Sequence, residues 1–145
     1  MSVDTHATAR STPISVPGII AAIIAFGTDC LYIAIIREQG NFAVNERRVG
    51  FIAANMATAG TAALAGALTR SVPLRLVLFG FATGALVGLG TVGFFSLGLL
   101  LLIAGIVAWF GWARSARSVG RRSRLLAWGM ASLAIVFLSA GLATT

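Results

Sequence analysis

Lysine is absent from this chain, and all 11 of its cationic side chains are arginines. That excludes a Schiff base to retinal or pyridoxal phosphate, a phosphate-cradling P-loop and a lysine general base. Acids are scarce as well: Asp4, Asp29, Glu38 and Glu46 are the only four. Chemistry that needs two carboxylates in one apolar site therefore has nothing to draw on, because Asp29 alone lies inside an apolar run. The one histidine, His6, sits in the polar tail before the first such run, so this chain alone holds neither a bis-histidine haem nor a His/Cys zinc site. Ser96, Ser132 and Ser139 lie in apolar runs with no histidine or lysine to act as base, which argues against a serine-type intramembrane hydrolase. Cys30, the single cysteine, makes no intramolecular disulfide, and the "GTD" before it is unlike a lipoprotein cleavage box; it reads as a small packing residue. The expectation is a chain that is not an enzyme and carries no cofactor and no metal. Catalysis would need residues donated by another subunit.

What the chain does have is apolar surface. Hydrophobic residues make up 58% of it, charged residues 10%, and the mean hydropathy is +0.94, values incompatible with an ordinary water-soluble domain. The reading is an all-α integral membrane protein. A formal charge of +7 would suggest nucleic acid in a soluble protein, but here the arginines gather at the ends of apolar runs, as topology signals do, and no nucleic-acid partner is expected. Arginine without lysine on an Ala/Gly-rich body fits a GC-rich bacterial genome, hence the bacterial cytoplasmic (inner) membrane. Residues 1–16 form a polar tail. The run that follows, of about 20 residues, is too long for a signal-peptide core and has no small-x-small cleavage site, so it reads as a retained first span.

Five spans are expected in a single transmembrane domain covering 17–145, at about 17–36, 49–69, 73–89, 92–112 and 125–143. Ser15 is placed to cap the first helix, and Pro17 and Pro73 suit first turns, where a missing N–H matters least. From Ser71 to Ala113 the sequence is nearly uninterrupted apolar, about 43 residues or about 65 Å as one helix, against a hydrocarbon core of about 30 Å. It must fold back, and the glycine-rich "GLGTVG" at Gly88–Gly93 is the expected turn. Four spans with a re-entrant or tilted segment between 76 and 112 is the alternative.

With five spans, one side holds Arg10, Arg70, Arg75, Arg114, Arg117, Arg121, Arg122 and Arg124, and the other holds Arg37, Arg47 and Arg48. The positive-inside rule then puts the N-terminus in the cytoplasm and the C-terminus outside. Trp109, Trp112 and Trp128 fall at the cytoplasmic interface, where indoles prefer to sit. The basic loop from Arg114 to Arg124 reads first as a topogenic loop, with anionic lipid headgroups or an acidic surface as its possible ligands. On the outer side "REQGNFAVNERR" reads as a solvated connector, with Phe42 as its one aromatic.

Helices in lipid associate through small residues that let backbones meet. Gly80, Gly84 and Gly88 form such a ladder on the third span, and Ala53, Ala57, Gly60, Ala63 and Ala67 offer a second on span two. Intrachain packing is the first reading of the ladder and a homo-oligomer or hetero-subunit interface the second. The leucines of span four suit lipid or a partner's apolar surface. Asp29 is the one sharp functional clue, about seven residues or roughly 10 Å inside the outer end of span one. An aspartate at mid-membrane costs about 2.5–3.5 kcal/mol on insertion scales. The expected arrangement is a polar layer of Asp29, Asn55, Ser96 and Ser139, with Asn55 the first partner and Thr28 or Tyr32 assisting. The functional expectation is a non-catalytic accessory subunit of a larger respiratory, photosynthetic or transport complex, with other integral membrane subunits and lipids as partners. The alternative is a small oligomeric proton- or cation-coupled transporter or channel centred on Asp29.

Overall fold

The computed structural model describes residues 14–40, 46–93, 97–117 and 120–144, without the side chains of 122–124. His6, Arg10, Phe42 and Ser96, and the side chains of Arg122 and Arg124, lie outside the described residues. Five helices follow one another: α1 (Val16–Glu38), α2 (Glu46–Leu68), α3 (Val72–Val92), α4 (Gly98–Ala116) and α5 (Arg121–Thr144). All five are long and apolar enough to cross a membrane, and no strand occurs among the described residues.

Local chemistry sets the helix starts. Pro17 and Pro73 stand in the first turns of α1 and α3, with Ser15 and Ser71 at the N-cap positions. Neither serine caps with its side chain. Ser15 instead works through its backbone: its carbonyl accepts from the Gly18 and Ile19 N–H groups at 3.0 and 3.2 Å, and its own N–H donates to Ala67 O at 3.2 Å, joining the start of α1 to the end of α2. Arg75, expected as a loop charge, is buried in the first turn of α3. Its Nε and Nη2 donate to Thr69 O at 3.1 and 2.6 Å, satisfying a carbonyl left over at the end of α2.

The long apolar tract does fold back, but only at the far end of the expected Gly88–Gly93 stretch. Gly88 and Gly90 are helical, α3 continues to Val92, and the reversal begins at Gly93, whose N–H closes on Leu89 O at 2.9 Å. Gly98 N–H then returns to Gly93 O at 2.8 Å, and a Cβ at Gly98 would collide with the backbone of Gly90 and Gly93. The glycines of this tract are thus used mainly for close approach. A side chain at Gly90 would meet Leu102 at 2.7 Å, and one at Gly88 would meet Leu138 at 3.1 Å.

Helix α3 is the centre of the bundle, packed on α2, α4 and α5, while α1 packs on α2 and α4. Half of the most apolar stretch of α3 is buried, against 17% of that of α5, so α5 is the peripheral helix. The Gly80–Gly84–Gly88 ladder faces α5. A Cβ at Gly80 would come within 2.5 Å of Ala127 O, and one at Gly84 would collide with Ala131 O. On α2 the closest packing comes one turn later than expected: Ala59, Gly60, Ala63, Gly66 and Ala67 are buried, whereas Ala53 and Ala57 are only partly so. Phe79 is fully buried where four helices meet, its ring against Gly18 of α1, Gly66 of α2 and Gly111 of α4.

Candidate functional site

Along α1 the residues Gly18, Ala22, Ala25, Asp29 and Tyr32 recur at helical spacing on one face. The first three are buried and the last two half-buried. Ile20, Ile23, Gly27, Leu31 and Ala34 form the opposite, exposed face. Cys30 is exposed, which corrects its reading as a packing residue. Asp29 therefore lies on the face of α1 that turns into the bundle, near the end where Glu38 and Glu46 lie.

Of the expected partners that are described, Asn55, Ser139 and Thr28 each bond within their own helix. The Asn55 amide nitrogen donates to Phe51 O at 2.8 Å, within its own helix. Gly60 marks the side of α2 that meets α1, since a Cβ built there would meet the Phe26 ring at 3.2 Å. Asn55 is five residues away, hence about 140° around the helix, beside Phe51, whose ring packs on Phe137 of α5 at 6.0 Å. The Ser139 hydroxyl donates to Ile135 O at 2.9 Å on the exposed side of α5. Thr28 is buried and donates to Ile24 O at 2.8 Å. Each hydroxyl or amide uses the carbonyl one turn back on its own helix. A carboxylate has no N–H or O–H to donate, so Asp29 has no such escape. Its Oδ1 is buried and accepts no hydrogen bond among the described residues.

One turn on, Tyr32 lines a small, mostly apolar cavity of about 80 Å³ to which all five helices contribute, through Ile52, Met56, Leu89, Leu101 and Leu142 among others. Among the described residues no group of three or more His, Cys, Asp or Glu side chains is placed to hold a metal ion.

At the other end of the bundle lies an arrangement that sequence reading missed. Helices α4 and α5 each pack on α3 and leave a cleft between them. Trp109, Trp112 and Trp128 meet in it with ring centroids 5.4–5.9 Å apart, and Gly80, Thr83, Ala127 and Ala131 complete its wall. The Trp112 indole N–H and the Thr83 hydroxyl are buried there without partners among the described residues. The signal was present in the positions of the tryptophans: Trp109 and Trp112 are three apart and share a helix face, and Trp128 lies two turns into the next helix. Arg114, Arg117 and Arg121 are exposed close by.

No family model matches the chain, and no match was found among curated proteins or solved structures. Function has to be argued from these residues alone.

Proposed function

We propose that the chain is a multi-pass protein of the bacterial cytoplasmic membrane, N-terminus inside and C-terminus outside, that serves as a non-catalytic accessory subunit of a larger membrane complex. The observation that carries this reading is the Asp29 carboxylate: turned into the bundle, half-buried, with an oxygen that no described residue engages. At mid-bilayer such an acid costs about 2.5–3.5 kcal/mol, and an interhelical hydrogen bond returns on average only about 0.6. A partner's arginine is the compensation that fits, because its guanidinium brings a charge and two aligned N–H donors at once. The partner is then another integral membrane subunit.

The test is extraction of the tagged full-length chain in mild detergent, followed by native mass determination. Larger subunits in fixed stoichiometry, lost on Asp29→Leu and retained in part on Asp29→Asn, are the expected result. A chain that leaves the membrane only as itself overturns the reading.

One observation favours a second reading. Asp29 is one turn from Tyr32, which lines the cavity shared by all five helices, as a proton- or cation-exchanging acid would be in a small oligomeric transporter. Here Asp29→Asn abolishes reconstituted proton flux while leaving the oligomer intact.

A further inference from the structure

The aromatic cleft is separate from Asp29 and continues beyond the tryptophans. A groove of about 290 Å³ along Val87, Gly105 and Ile106 shares Thr83 and Trp109 with the cleft. The cleft in turn shares Trp112 with a third opening that ends at Arg117. From Gly105 to Arg117 this path is about 18 Å long at 1.5 Å per residue. One leaflet of a bilayer's hydrocarbon core is about 15 Å, half of about 30 Å. The inner part of the path is almost wholly apolar, and its mouth is cationic: from Ala113 to Leu125 the chain carries five arginines and no acid. A free anion would match the arginines and leave the apolar length empty. A partner helix, about 10–12 Å across, does not fit where tryptophans of α4 and α5 touch with centroids 5.4 and 5.9 Å apart. An alkyl chain does.

We infer that the cleft holds one acyl chain of an anionic phospholipid from the leaflet on the arginine-rich side, with the phosphate against Arg114, Arg117 and Arg121. The ester region then lies near the level of Trp112, whose indole N–H has no acceptor among the described residues. The inference rests on the membrane insertion proposed above and not on the accessory role.

The chain's three tryptophans all line the cleft, so intrinsic fluorescence reads it without a label. Full-length protein is reconstituted into phosphatidylcholine vesicles containing equal small fractions of either dibrominated phosphatidylglycerol or dibrominated phosphatidylcholine. The expected result is quenching by the anionic probe at a several-fold lower mole fraction. Arg117→Gln reduces that preference about fivefold, and the Arg114→Gln/Arg117→Gln/Arg121→Gln variant abolishes it. Superimposed curves for the two probes in the wild type overturn the site, and so does a preference that the triple variant leaves unchanged. Relief of quenching by inorganic phosphate as effective as that by unlabelled phosphatidylglycerol reassigns the arginines to a free anion. Protein that does not enter vesicles removes the membrane reading together with this site, whereas superimposed curves from inserted protein remove the site alone.

Discussion

Single residues in this bundle are decided by how near a neighbouring backbone comes. Gly84 faces Ala131 O so closely that any side chain forces α3 and α5 apart, whereas Gly27 has nothing within 4 Å of a Cβ. Gly84→Val is expected to lower stability in micelles by about 1–3 kcal/mol, as overpacking does elsewhere, with Gly27→Ala within about 0.5 kcal/mol of wild type. Denaturant titration followed by tryptophan fluorescence measures both, and equal loss at the two sites would contradict the packing described. Asp29 gives the opposite expectation. Its Oδ1 makes no hydrogen bond among the described residues, so Asp29→Leu should stabilise the isolated chain, by up to about 3 kcal/mol on insertion scales. A destabilised variant in the same titration would mean that the acid has an internal partner after all. That the acid is exceptional was readable from the sequence, since its charge inside an apolar run is a local property. Its lack of a partner was not: whether Asn55 faces α1 depends on the rotation of α2, which the Phe26 ring over Gly60 determines.

At the level of elements, α3 takes contacts from three other helices, whereas α5 leans mainly on α3, with a thin contact to α2 and the Trp128 ring against Trp109 and Trp112 of α4. The α3–α5 seam is nearly all backbone proximity, Gly80 to Ala127 and Gly84 to Ala131, with little bulky side-chain interlock until Leu138. Hydrogen exchange in micelles should therefore show α5 amides exchanging first and the middle of α3 last. Uniform protection of the two helices would refute the hierarchy. Apolar length was enough to count five helices, because a run of about 43 residues cannot be one crossing of about 30 Å. The position of the reversal was not readable, because a glycine run suits a turn and a close helix contact equally well. Gly88 and Gly90 went to contact, against Leu138 and Leu102, and the turn moved to Gly93.

Across the whole molecule an odd number of spans puts the termini on opposite sides. Reporters fused at Met1 and Thr145 are expected to place the first in the cytoplasm and the second outside, following the arginine split of eight against three; both on one side would require four or six crossings. The two ends of the bundle differ in chemistry as well. One carries the tryptophans, the buried Arg75 and the basic α4–α5 connection, and the other carries Asp29, Tyr32 and the shared cavity. The sequence by itself determined the class of element, the number of helices, their approximate ends and the presence of one acid among apolar residues. All of these follow from composition and periodicity along the chain. Only the tertiary structure decided which face of each helix meets which neighbour: Phe79 among glycines of three other helices, Asn55 bonded within its own helix, and three tryptophans gathered in one cleft. Those outcomes depend on helix rotation and separation, which small residues permit in many combinations and which close packing of the five helices resolves into one.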